Sequence, residues 1–104
     1  MSFDVQLTPT AESDLERLVD CLLDRAETTE DLDRAQATID PIRAVMQQQL
    51  ALTPYSFRKA AQSPARRELI IPFGSTGYVA LYEIASPSKV AVLAVRHQRE
   101  GDYH

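Results

Sequence analysis

The stretch RRELIIPFGSTGYVALYEIASPSKVAVLAVR, residues 66–96, decides the fold. Three runs rich in aliphatic, β-branched and aromatic residues (66–73, 77–84 and 89–96) are separated by GSTG at 74–77 and SPSK at 86–89. Glycine and proline at those breaks favour tight reversals. Connections this short force antiparallel pairing, so the stretch predicts a three-stranded meander. In its last two strands both parities are apolar. Val79 and Leu81 oppose Tyr78, Ala80, Tyr82 and Ile84, while Val90, Val92 and Ala94 oppose Ala91, Leu93 and Val95. A sheet with one wet face alternates instead. One helical layer covers one face, so the second needs other cover: the loop upstream, a second copy of the chain, or a different protein. The pattern favours an external partner.

Upstream, Phe3, Val5 and Leu7 alternate with Asp4 and Gln6, which predicts a short strand. Thr8 followed by Pro9 reads as a helix N-cap and a proline at the first helical position. Ala11, Leu15, Leu18, Val19 and Leu22 recur at helical spacing, so a helix is predicted to about Arg25 or Glu27. A second helix restarts at TTEDL (28–32), capped by Thr28 or Thr29, with Leu32, Ala35, Ile39, Ile42 and Met46 as its apolar stripe. Pro41 lies inside that stripe, and a kink rather than a break is expected there. The short connection at 27–29 makes the two helices an antiparallel hairpin. Residues 53–64, TPYSFRKAAQSP, carry two prolines and no period and read as a long loop. The sum is one domain over 1–104 of the α+β class: an N-terminal strand, an antiparallel helical hairpin, and a three-stranded antiparallel meander forming one sheet.

Composition narrows the function. No apolar run approaches the ~18–20 residues that cross a bilayer, and no secretory signal is visible, so a cytoplasmic protein without membrane contact is expected. Cys21 is the one cysteine, which excludes a disulfide framework and reads as a helix-packed thiol. No Cys/His spacing suits a metal, and no cofactor is expected. The net charge of −4 divides unevenly, with −7 on residues 1–54 and +3 on residues 55–104. The acidic half reads as solvated helices, and the basic half offers a surface to an acidic partner.

The last nine residues, RHQREGDYH (96–104), follow an apolar strand with two histidines, two arginines, a glutamate, an aspartate and a tyrosine. That mixture marks a working surface. The segment VQLTPTAESDLERL (5–18) resembles the opening of toxins of the RelE/ParE superfamily, where a strand ends at a Thr/Ser-Pro-x-Ala-x-x-Asp-Leu helix start. The strands 66–84 and 90–100 resemble that group's final strands, and His97-Gln98-Arg99 is similar to the ending of its ParE branch. The resemblance covers essentially the whole chain. It implies the toxin of a type II toxin–antitoxin pair, neutralised by a cognate antitoxin whose other half is usually a DNA-binding dimer. Leu32, Ile39, Tyr78, Tyr82 and Leu93 are the expected antitoxin contacts.

The superfamily acts on two targets. The ParE branch inhibits DNA gyrase and needs a recognition surface, here Arg96, His97, Arg99 and Tyr103. The RelE branch enters the ribosome and cuts mRNA. Under that alternative Arg67 and Arg96 clamp the phosphate, His97 or His104 moves protons, and Tyr103 stacks on a base or donates a hydrogen bond. Those residues are expected to converge at one end of the meander. Some RelE-branch nucleases end in His-Tyr, whereas this chain has Tyr103-His104, only two lysines and an acidic balance. Gyrase inhibition is therefore the first expectation, mRNA cleavage the second, and an inactive relic that only binds antitoxin the third. Whether the chain is an enzyme turns on that choice. Each residue also has a plain structural account: Arg66 and Arg67 flank a strand, His97 is a hydrogen-bonded histidine, Tyr78 and Tyr82 pack the sheet. Tyr55, Phe57, Arg58 and Lys59 serve equally as sheet cover or as a nucleic-acid contact.

Overall fold

A computed structural model of the chain describes residues 2–60, 63–73, 76–100 and 103. Strand β1 (Asp4–Leu7) leads through the Thr8 cap into α1 (Pro9–Arg25), followed by α2 (Thr29–Gln36) and α3 (Ile39–Leu52). Then come a 3-10 turn at Pro54–Ser56 and strands β2 (Arg58–Ala60), β3 (Ser63–Phe73), β4 (Thr76–Ser86) and β5 (Lys89–His97). Among the described residues the five strands form one sheet in the order β1-β5-β4-β3-β2. Strands β3, β4 and β5 are the expected antiparallel meander. β1 joins its far side in parallel, Val5 opposite Val90. Of the GSTG turn, Gly74 and Ser75 lie outside the described residues.

Both expected caps form. Thr8 Oγ1 accepts the Ala11 N–H at 3.2 Å, and Thr28 Oγ1 accepts the Asp31 N–H at 3.1 Å. The second helix differs from expectation, because the chain breaks rather than kinks. α2 ends at Gln36, Ala37 and Thr38 turn, and Pro41 falls in the first turn of α3. Pro41 has no N–H to give the Ala37 carbonyl and its ring crowds that carbonyl. In the first turn of a new helix the missing donor costs nothing. Thr38, 2% exposed, closes the junction by donating Oγ1 to the Arg34 carbonyl at 2.9 Å. Leu32 falls off the core stripe and stays 43% exposed, while Ile42, Met46 and Leu50 are buried against the sheet.

The segment 53–64 is not simply a loop. Arg58–Ala60 pairs antiparallel with β3 as a fifth strand, Arg58 opposite Glu68. Its three residues carry no apolar alternation, so nothing in them announced a strand. Before it, Phe57 packs edge-on to Tyr82 at 6.5 Å, and the Tyr82 hydroxyl donates to the Pro54 carbonyl at 2.5 Å. The connection thus packs on the helical side of the sheet.

The doubly apolar pattern of β5 has a register explanation. Tyr82 pairs with Val92 and Leu81 with Ala94, so one extra residue, Leu93, bulges from β5. The bulge switches the parity of inward-facing residues. Val90 and Val92 before it and Val95 after it all face the helices, opposite Ile84, Tyr82 and Ala80, and none is more than 1% exposed. The outer face carries Ile70, Val79, Leu81, Ala94 and Arg96. External cover is not needed over its centre, since Val79 is 1% and Ala94 6% exposed within the chain itself. Ile70 remains 40% exposed at its margin.

Candidate functional site

β1 accompanies β5 only as far as Val92. Beyond that point the outer edge of β5 has no neighbouring strand among the described residues and faces α1. An open edge leaves backbone donors and acceptors without partners. Here side chains meet them one by one. Thr8 Oγ1 donates to the Leu93 carbonyl at 3.2 Å, the buried Asp14 carboxylate accepts the Val95 N–H at 2.9 Å, and Glu100 accepts the His97 N–H at 3.2 Å. Glu100 also pairs with Arg17 on α1 at 3.2 Å. The segment after β5 is thereby tied to the helical layer on one side.

It then turns onto the outer sheet face. Gln98 N–H donates to the Gly77 carbonyl at 2.9 Å. A Cβ on Gly77 would come within 2.7 Å of the Ile71 carbonyl oxygen and 2.9 Å of Gln98 Oε1. Close approach, rather than the expected tight reversal, is what requires this glycine. Arg96 Nη1 donates to the carbonyls of His97, Gln98 and Glu100 at 3.3, 3.4 and 2.7 Å. The same guanidinium lies 5.1 Å from the Tyr103 ring centroid, and its Nη2 is 3.9 Å from Glu68 Oε2. Tyr103 donates its hydroxyl to that carboxylate oxygen at 2.5 Å, and Arg58 Nε donates to the other at 3.1 Å. Burial first, and then the Glu68 carboxylate, hold the Tyr103 phenol well above its ordinary pKa. Arg96, Tyr103 and Glu68 thus form one cluster over the strands' outer face.

The wider set expected to converge is divided between the two faces. Arg67 sits opposite Tyr82 on the helical face, whereas Arg96 sits opposite Val79 on the outer one. Arg67 Nη1 donates to the Tyr55 and Phe57 carbonyls at 3.2 and 2.8 Å, holding the connection into β2. It does not join Arg96 in a clamp. His97 is opposite Tyr78 on the helical face, with ring centroids 5.4 Å apart. His104 lies outside the described residues. Arg99 is exposed, and its backbone N–H donates to His97 Nδ1 at 3.0 Å, which assigns the proton of the neutral ring to Nε2.

Burial, mainly, and the nearby Arg99 and Arg25 guanidiniums lower the His97 pKa below 6.5, against the opposing pull of Glu100. A histidine harder to protonate in the fold leaves stability unaffected above its unfolded pKa. As pH falls below 6.5 the unfolded chain takes the proton first, and stability declines until the folded value is passed. His97→Gln should flatten the stability profile in that window. Urea titrations of both proteins from pH 7.5 to about 5 check this; parallel profiles would contradict it.

Of the expected antitoxin contacts, Leu32 is exposed and Ile39 and Leu93 are half-buried. Tyr78 is 3% exposed but lines a cleft. Tyr82 is a correction. It is 0% exposed, its hydroxyl is spent on Pro54, and burial pushes its pKa up to about 12, so no partner can reach it. Asp14 and Glu100 carried no expected role, whereas Glu68 was one of two carboxylates, with Glu83, expected to pair with Arg96 or Arg99. Asp14 had a signal: it occupies a position on the apolar stripe of Ala11, Leu15 and Leu18. Among the described residues no group of His, Cys, Asp and Glu could hold a metal, and no helix is long and apolar enough to cross a membrane.

A family model described as the ParE toxin of the type II toxin–antitoxin system parDE matches residues 5–101. The chain belongs to the ParE toxin family. It is thus a toxin of a type II toxin–antitoxin system within the RelE/ParE superfamily. It is also 36% identical over 96 residues to Toxin RelE3 of Caulobacter vibrioides, covering 92% of this chain and 95% of that protein. In fold it resembles a chain of the chromosomal ParDE TA system from P. aeruginosa, with a TM-score of 0.70 at 13% identity over 91% of this chain and 95% of that one. For a ParE-family chain the architecture is therefore the expected one.

Proposed function

We propose that this ParE-family toxin inhibits DNA gyrase in the cytoplasm and is neutralised by a cognate antitoxin carried on a DNA-binding dimer. The observation carrying the choice of gyrase is the orientation of the two arginines. A phosphate clamp needs both guanidiniums on one substrate, yet Arg67 and Arg96 face opposite sides of the sheet, and both are engaged with backbone carbonyls. A protein-recognition surface needs no such convergence. Arg96, His97, Arg99 and Tyr103 then present the segment after β5 to the target. Leu32, Ile39, Tyr78 and Leu93 supply the apolar contacts for an amphipathic antitoxin segment.

One pairing favours mRNA cleavage instead. Arg96 and Tyr103 lie together, as a cation and a hydroxyl at a scissile phosphate would, and the curated relative carries the name RelE3. The test is to add the antitoxin-free chain to a gyrase supercoiling assay and to a translating extract read by primer extension. Inhibited supercoiling with intact message is the expected result. Codon-phased cuts in ribosome-bound message would replace this reading with the nuclease, and neither effect would leave an antitoxin-binding relic.

A further inference from the structure

The end of α1, helix α2 and the adjoining ends of β3, β4 and β5 enclose a cleft. It consists of two adjoining cavities of about 330 and 300 Å³. Leu22, Arg25, Tyr78 and His97 line both, Ala35 and Phe73 line the first, and Arg99 lines the second. The aromatic wall is ordered edge-to-face: Phe73 is 6.0 Å and His97 5.4 Å from Tyr78 between ring centroids.

Two observations point to a ligand. Tyr78 is 3% exposed, yet its hydroxyl has no hydrogen-bond partner among the described residues. The ring is buried, but the hydroxyl is not shut off from solvent: it meets the open cleft, where a bound group can accept from it. Arg25 and Arg99 likewise have no carboxylate partner among the described residues, although the chain carries a net charge of −4. The acids bordering the cleft are already committed: Asp31 lies 3.6 Å from Arg34, and Glu100 lies 3.2 Å from Arg17. The cleft therefore pairs an apolar floor with a hydroxyl donor and unmatched guanidiniums. Its volume falls at the lower end of the range for small-molecule sites.

We propose that this cleft binds a small aromatic or branched aliphatic carboxylate. The carboxylate takes the Tyr78 hydroxyl and Arg25 on the shared wall, and the apolar body rests on Leu22, Ala35 and Phe73. Arg99 adds charge at the outer cavity. An inorganic anion matches the guanidiniums but leaves the floor uncovered, and a neutral hydrocarbon does the reverse. The inference goes beyond the toxin reading and holds whichever target the toxin has.

The test is an amide NMR titration of the full isotope-labelled chain with 3-phenylpropionate, and separately with the uncharged 3-phenylpropanamide. The acid should give saturable shifts at the cleft residues with a Kd of about 1 mM or tighter, and the amide should bind about tenfold more weakly. Tyr78→Phe and Arg25→Gln should each weaken the acid at least about fivefold. Tyr78→Phe should keep the Tm of the parent, since it removes a hydroxyl that bonds nothing in the described protein. Equal binding of acid and amide, no shifts up to about 10 mM, unweakened binding in both variants, or a lowered Tm in Tyr78→Phe would each overturn the proposal.

Discussion

Arg96→Ala should lower the unfolding free energy by about 2–3 kcal/mol, somewhat below the ~3–5 kcal/mol for a half-broken, completely buried pair. The side chains of Arg96 and Glu68 are only 13% and 14% exposed, and their 3.9 Å separation is long. The pair itself is therefore the smaller part. Most of the loss comes from the carbonyls of His97, Gln98 and Glu100 and from the Tyr103 ring, all organised by one guanidinium. Arg96→Lys should recover little, because a point charge cannot serve several carbonyls and a ring in one plane. In a chain of 104 residues the change corresponds to a fall in Tm of roughly 10–20 °C. Thermal melts read the loss. Amide exchange at residues 97–100 should accelerate beyond what the global loss explains. A parental Tm with unchanged exchange would mean that the segment holds its place without Arg96.

Asp14→Ala should cost about 2 kcal/mol. The carboxylate is buried and accepts the Val95 N–H on the part of β5 that no strand accompanies. Removing it leaves that donor unmet beneath α1, where water has little access. Asp14→Asn keeps an acceptor oxygen and should cost about half as much, since a hydrogen bond to a neutral acceptor is roughly half as strong. Asp14→Leu tests the point from the other side. It adds apolar surface to the α1 stripe, yet should still destabilise, because the orphaned N–H outweighs the burial gained. Chemical denaturation of the three variants gives the ranking, and a stabilised Asp14→Leu would show that the edge finds another partner.

The local signals in the sequence were sufficient for most elements, missed β2 and the break between α2 and α3, and were insufficient for the faces. Thr8 caps where the Thr-Pro pair placed it, Thr28 is the one of the two adjacent threonines that caps the second helix, and the meander follows from two short turns. The apolar stripe carried past Pro41 in phase, which hid a break made by backbone hydrogen bonding rather than by hydrophobicity. The Leu93 bulge was illegible for a similar reason. One added residue changes no composition but inverts every side chain beyond it, so a strand apolar on one face reads as apolar on both. That inversion accounts for β5 only, since β4 does carry Val79 and Leu81 on its outer face, where Val79 is buried by the chain itself. It also decides the site. Arg67 lies on a different face from Arg96, a distinction only cross-strand register supplies. The role of Glu68 depends on Arg58, Arg96 and Tyr103 arriving from three separate parts of the chain, and no sequence spacing encodes such a meeting.

Gyrase supercoiling with the chain ended at Arg96 is the most direct test of the segment after β5 as the working surface. A circular dichroism melt would show that the shortened chain folds, and Arg99→Glu in the full-length chain provides a companion that alters only an exposed residue. The shortened chain should lose inhibition, and Arg99→Glu should weaken it about tenfold, as loss of a charged contact at a recognition surface does. Inhibition by both at the strength of the parent would contradict the assignment and leave residues 97–104 as an edge cover alone.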